Sequence, residues 1–290
     1  MLLVLRAIVI MWNLAGLANA SNAEFHAFVV PLSIMTKLTY TATAGTYYNA
    51  SEANATVDGW ERPKGLTEDP KVGLRALVFV HPSTGRGVIA FRGTDLGPGP
   101  SGQADRCADA LIWGGQTPQY CSAFSAATLD YWGNAIKFVA RARATLPTVS
   151  FLFTGHSLGA GLALAMSVVT AQRVEEWAAV GFASPAWVLA LQHRTRQRPS
   201  AHEARRRLYA LADEWDPVQR SASRAGGLLG TACLWQSTEP AACARCYAHA
   251  TFNKSSVDCT QCFAQRHVYA HYLHVDVPGP RPTCKDILEP

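Results

Sequence analysis

No internal repeat and no long low-complexity run occurs in the 290 residues, which argues against a solenoid and against a mainly disordered chain. After the first twenty residues no apolar stretch is long enough to cross a bilayer, so no transmembrane segment is expected in the mature chain. Charge is sparse at 16% and nearly balanced at +5. No basic stretch is interleaved with exposed aromatics or matched to a nucleic-acid motif, which removes the case for a nucleic-acid partner. Cysteine is absent before Cys107, and eight follow from there.

What remains is an ordinary globular composition, 49% hydrophobic, long enough for one large α/β domain. Met1 to Ala20 is apolar with one arginine and ends Ala18-Asn19-Ala20. That small-x-small pattern predicts a signal peptide cut after Ala20, a single domain over 21–290, and a secreted protein. Asn49-Ala50-Ser51, Asn54-Ala55-Thr56 and Asn253-Lys254-Ser255 are glycosylation acceptor sequences, and an even number of cysteines suits disulfides in an oxidising compartment.

The chain is organised around Val149 to Met166, VSFLFTGHSLGAGLALAM. A β-branched and aromatic strand leads into Gly155-His156-Ser157-Leu158-Gly159, and a small-residue apolar helix follows. A serine hydroxyl attacks a carbonyl only when a base takes its proton. Gly-x-Ser-x-Gly between a strand and a helix holds the serine in a strained turn within reach of both, the glycines leaving room where a Cβ would meet backbone. The same turn aims the Leu158 amide and the positive end of the helix at a developing oxyanion. Upstream, Ala76–Val80 and Val88–Phe91 read as two strands, the second running into Arg92-Gly93-Thr94-Asp95. If that strand neighbours the serine strand, the Thr94 hydroxyl and amide complete an oxyanion hole with Leu158.

Ala90-Phe91-Arg92-Gly93-Thr94-Asp95 followed by Gly155-His156-Ser157-Leu158-Gly159 resembles the fungal-type class 3 lipase family. The resemblance covers roughly Ala76 to Cys284 as a pattern of elements and is close only around the motifs. It implies an α/β-hydrolase fold, a mostly parallel central sheet flanked by helices, here with a disulfide-rich C-terminal segment. It further implies a Ser-Asp-His triad acting on carboxylic esters, typically acylglycerols, with no cofactor, and a helical lid that makes transient contact with a lipid surface. Of the three acids in Asp213-Glu214-Trp215-Asp216 after the strand Leu208–Ala212, similarity to the family's Asp-x-Val segment points to Asp216, with Asp213 as runner-up. The base is expected near the C-terminus, closely followed by an aromatic. His271-Tyr272 fits this description, and His267 with Tyr269 is the alternative.

A lid would lie in Leu96 to Ser122. Gly97–Gly102 reads as a Gly/Pro hinge, and Ala104–Trp113 as an amphipathic helix with Asp105, Arg106 and Asp109 opposite Ala108, Leu111 and Ile112. A fixed helix stapled by Cys107 and Cys121 is the competing expectation. The six arginines of Arg194–Arg207 read as a solvated face. Cys243-x-x-Cys246 and Cys259-x-x-Cys262 have the spacing of a four-thiolate zinc site, but in an exported chain with Cys233 and Cys284 nearby they predict three disulfides of open connectivity and no metal. Phospholipase or feruloyl-type esterase activity, and an inactive hydrolase-fold binding protein, are the alternatives to acylglycerol hydrolysis.

Overall fold

A computed structural model describes residues 14–41, 57–172, 174–197, 199–248, 256–268, 272 and 281–287. Its centre is an eight-stranded sheet whose spatial order follows the chain. The strands are β1 Thr67–Glu68, β2 Ala76–His81, β3 Arg86–Phe91, β4 Ser150–His156, β5 Ala179–Phe182, β6 Leu208–Asp213, β7 Gly230–Trp235 and β8 Thr283–Ile287. β3 to β7 run parallel, while β1, β2 and β8 pair antiparallel at the two edges. This is the α/β-hydrolase arrangement, and the buried parallel strands read as near-continuous apolar runs because helices cover both faces.

Alternate side chains feed two apolar layers. Leu77, Phe79, Val88, Ala90, Leu152, Val180 and Phe182 point to one face. There they meet helix α1, Asn22–Thr41, through Phe25, Phe28, Leu32 and Met35. Ala76, Val78, Ile89, Phe91, Phe151 and Phe153 point to the other, which is covered by α2 Pro100–Gly114, α3 Tyr131–Thr145, α4 Leu158–Val169 and α5 Trp187–Thr195.

The apolar stretch Phe25 to Leu38 reads as helical within a segment, Ser21 to Lys71, expected to wrap the surface; the helix is there as α1, but it is a core helix and runs through Pro31 without ending. The helical spacing of Leu129, Trp132, Ile136, Val139 and Ala140 reads as one helix over 125–144, but a short turn Ala126–Leu129 stands apart from α3, because Asp130 accepts from the Gly133 amide at 3.0 Å and starts α3 anew. Residues 1–13 and the acceptor asparagines Asn49, Asn54 and Asn253 lie outside the described residues. Leu14 and Leu17 pack on the α1 face of the sheet, where Tyr209 donates its hydroxyl proton to the Leu14 carbonyl.

All eight cysteines are paired. Cys107–Cys121 ties the middle of α2 to the turn Gln119–Ala123 that follows it. Cys233–Cys284 joins directly opposed residues of β7 and β8. Two further helices, α6 Pro217–Arg224 and α7 Ala241–Ala248, precede α8 Val257–Arg266. Each of α7 and α8 carries two cysteines one turn apart, and Cys243–Cys262 with Cys246–Cys259 fastens them into a hairpin. The four thiols with zinc-site spacing are therefore consumed as disulfides.

Candidate active site

Ser157 stands between β4 and α4 at φ 55 and ψ −125, a left-handed conformation that costs a non-glycine residue about 1–3 kcal/mol and is held by its surroundings. Its amide donates to the Phe182 carbonyl at 2.9 Å. The flanking glycines permit the turn: a Cβ on Gly155 would lie 2.4 Å from the Gly159 backbone, and one on Gly159 would lie 2.2 Å from the Phe91 carbonyl. The Leu158 amide is the first of α4, where helix geometry supplies no internal acceptor. Ser157 itself is partly exposed.

The imidazole at this serine belongs to His267. Its Nε2 lies 2.8 Å from Ser157 Oγ, and its Nδ1 lies 2.9 Å from Asp216 Oδ2. This corrects the choice of His271, which falls outside the described residues. The physical reason is the hairpin. His267 follows the last residue of α8, its amide bonded to the Phe263 carbonyl at 2.8 Å, and the two disulfides fix where that helix ends. Phe263 packs on the imidazole with ring centroids 4.4 Å apart.

Asp216 is wholly buried and caps α6, its Oδ1 accepting from the Val218 and Gln219 amides at 2.9 and 2.8 Å. Oδ2 accepts from the Tyr272 hydroxyl at 2.6 Å as well as facing His267. Burial alone would raise this carboxyl, but the charge and hydrogen bond of His267, the Tyr272 hydroxyl and the Gln219 amide outweigh it, and the net direction is down. Asp213, the runner-up, does other work: it accepts from the Trp215 amide and the Ser237 hydroxyl, both at 2.8 Å.

Two residues of the site went unassigned in the sequence. Tyr272 was noticed as the aromatic after a histidine, but it belongs with His267, five residues before it. Its phenol is pushed well up by burial and by the Asp216 charge beside it. His156, a free position of the pentapeptide, joins three elements. Its Nε2 lies 2.8 Å from the His267 carbonyl and its Nδ1 lies 2.9 Å from the Tyr40 hydroxyl. A carbonyl only accepts, so Nε2 carries the proton, and in the neutral ring Nδ1 accepts from Tyr40.

β3 and β4 are parallel neighbours with Phe91 opposite Gly155, so Thr94 and Ser157 emerge side by side at the same sheet edge. The Thr94 hydroxyl donates to Asp109 Oδ2 of α2 at 2.6 Å, and Trp113 Nε1 donates to Asp109 Oδ1 at 2.9 Å. Asp105, read in the sequence as part of a polar outer face, points inward and is fully buried. It accepts from Arg92 at 2.6 Å, the Asp95 amide at 2.7 Å and the Tyr131 hydroxyl at 2.5 Å. Among the described residues no cluster of ligating side chains is arranged to hold a metal ion.

Residues 88–220 match the model of the class 3 lipase family. That stretch, which holds Thr94, Ser157 and Asp216 and ends before His267, is similar to class 3 lipases. No curated protein matches the chain. Among solved structures, a lipase from Rhizopus microsporus var. chinensis is 16% identical at a TM-score of 0.46, covering 76% of this chain and 77% of that one. Lipase II from Rhizopus niveus is 15% identical at 0.47, covering 75% and 83%. The Lip2 lipase of Yarrowia lipolytica is 14% identical at 0.43, covering 73% and 80%.

Proposed function

We propose that the protein is a secreted serine hydrolase that cleaves carboxylic esters, acylglycerols foremost, through an acyl-enzyme on Ser157. His267 takes the Ser157 proton as Oγ attacks the ester carbonyl, and Asp216 orients the imidazole and stabilises its positive charge. The Leu158 and Thr94 amides hold the tetrahedral oxyanion, with Asp109 fixing Thr94 in place. The imidazolium then protonates the departing alcohol, and a water deprotonated by His267 releases the acid. The mechanism calls for neither cofactor nor metal.

The observation that carries the reading is the continuous hydrogen-bonded path from Ser157 through His267 to Asp216, 2.8 and 2.9 Å long. The four disulfides support export into an oxidising compartment. Against the rival reading of an inactive binding protein stands the His267 imidazole, whose Nε2 lies 2.8 Å from Ser157 Oγ. The test is ester hydrolysis and covalent labelling by a serine-reactive phosphonate, in wild type and in Ser157→Ala. We expect both to vanish in the variant; hydrolysis at the wild-type rate would end the proposal.

A further inference from the structure

We infer that α2 is a fixed wall of the active site, so that the site works on ester molecules dissolved singly and needs no lipid surface to switch it on. The inference rests on the hydrolase reading above and narrows its substrate to esters met in solution, such as short-chain acylglycerols.

Four observations converge. Asp105, in the middle of α2, is fully buried, and its carboxylate takes hydrogen bonds from Arg92, the Asp95 amide and Tyr131. Swinging α2 outward would break all three together and strand the buried Arg92 guanidinium without its counter-ion. The apolar side of the helix is already spent: Ala104 and Cys107 pack with Cys121 and Leu129, Ala108 and Ile112 join the main core, and Gln103 is left outward. A lid would instead keep its apolar side over the pocket, ready to turn towards lipid.

The glycine stretch expected as a hinge is also bonded in place. The Gly97 amide donates to Asp95 Oδ1 at 2.8 Å, and Arg106 donates to the Gly97 carbonyl at 3.2 Å. Gly102 sits so close that a Cβ there would lie 2.1 Å from that same carbonyl. At the far end of the helix, Arg194 donates to the Leu111 carbonyl at 3.2 Å.

Finally, α2 supplies Asp109, which holds the Thr94 hydroxyl. Displacing the helix would therefore loosen the oxyanion wall instead of uncovering a finished one. Ser157 is already partly exposed with α2 in place.

The test follows the hydrolysis of tributyrin as its concentration is raised through its solubility limit. We expect a saturating curve that crosses the limit with a change of less than about twofold. A rate near zero below the limit that climbs tenfold or more above it would overturn the inference and leave ester hydrolysis standing. Absence of hydrolysis in both regimes would sink the hydrolase reading and this inference with it. Phosphonate labelling of Ser157 with and without detergent micelles gives a second readout. Equal labelling rates support a fixed α2, and strong acceleration by micelles contradicts it. In Cys107→Ser/Cys121→Ser, freeing α2 is expected to slow tributyrin hydrolysis below the limit; a faster rate would restore the lid.

Discussion

Asp105→Asn probes the clamp on α2 with a nearly isosteric change. In the native protein Oδ2 receives two donors, Arg92 Nη2 and the Asp95 amide, while Oδ1 receives the Tyr131 hydroxyl. A carboxamide has one accepting oxygen and one donating nitrogen: with the oxygen towards Arg92 and the Asp95 amide, the nitrogen faces Tyr131, whose hydroxyl must give up its donation and turn to accept, and in the other orientation the nitrogen faces two N–H donors. The charge that balances the buried Arg92 is lost as well. Breaking a buried pair by removing one partner costs about 3–5 kcal/mol. At roughly 2–4 °C per kcal/mol for a domain of this size, the midpoint should fall by about 6–20 °C. Thermal unfolding followed by far-UV circular dichroism measures it. Removing both partners, Arg92→Met with Asp105→Leu, should recover part of the loss, because no uncompensated charge then remains. Burial pushes the Asp105 carboxyl upward against the pull of Arg92, so the size of the loss also reports its form. A loss below about 1 kcal/mol would mean that the native protein holds it neutral, and the clamp reasoning would be wrong.

Tyr40→Phe removes the donor to His156 Nδ1, loosening the ring that holds the His267 carbonyl. One such bond is worth about 1 kcal/mol, so kcat should fall about fivefold with KM nearly unchanged. An unaltered kcat would reduce His156 to a packing role. At high pH the buried phenols decide stability. Burial raises Tyr131, Tyr247 and Tyr272 strongly and Tyr209 to about 12. A group raised in the native state binds its proton more tightly there, so stability is full below the unfolded value near 10 and falls as pH climbs through it. Phenolate absorbance should therefore lag until the chain unfolds; ionisation of every tyrosine near pH 10 in the folded protein would contradict this.

The nucleophile elbow was legible because its requirements are local: a strand, two glycines and a helix within one stretch of chain. β2, β3 and β6 read out as alternating or continuous apolar runs for the same reason, and similarity to the family's Asp-x-Val segment led to Asp216 over Asp213. His267 was not legible. Its place depends on where α8 ends, which two disulfides between distant cysteines decide, and four cysteines at equal spacing do not declare their pairing. The aromatic signal was seen in Tyr272 but attached to the adjacent His271. Asp105 misled through helical periodicity, which sorts polar from apolar without knowing that Arg92 and Tyr131 wait inside to receive a carboxylate. β7 and β8 were missed too, one of them short and edge-paired and both set by long-range contacts.

The account stands on His267 as the base for Ser157. The direct measurement is kcat/KM on a dissolved ester for His267→Ala and His271→Ala, assayed side by side with proof of folding for each. His267→Ala should lose about 10⁴-fold or more, and His271→Ala should stay close to wild type. The reverse pattern, with His271→Ala inactive and His267→Ala turning over normally, would contradict the account.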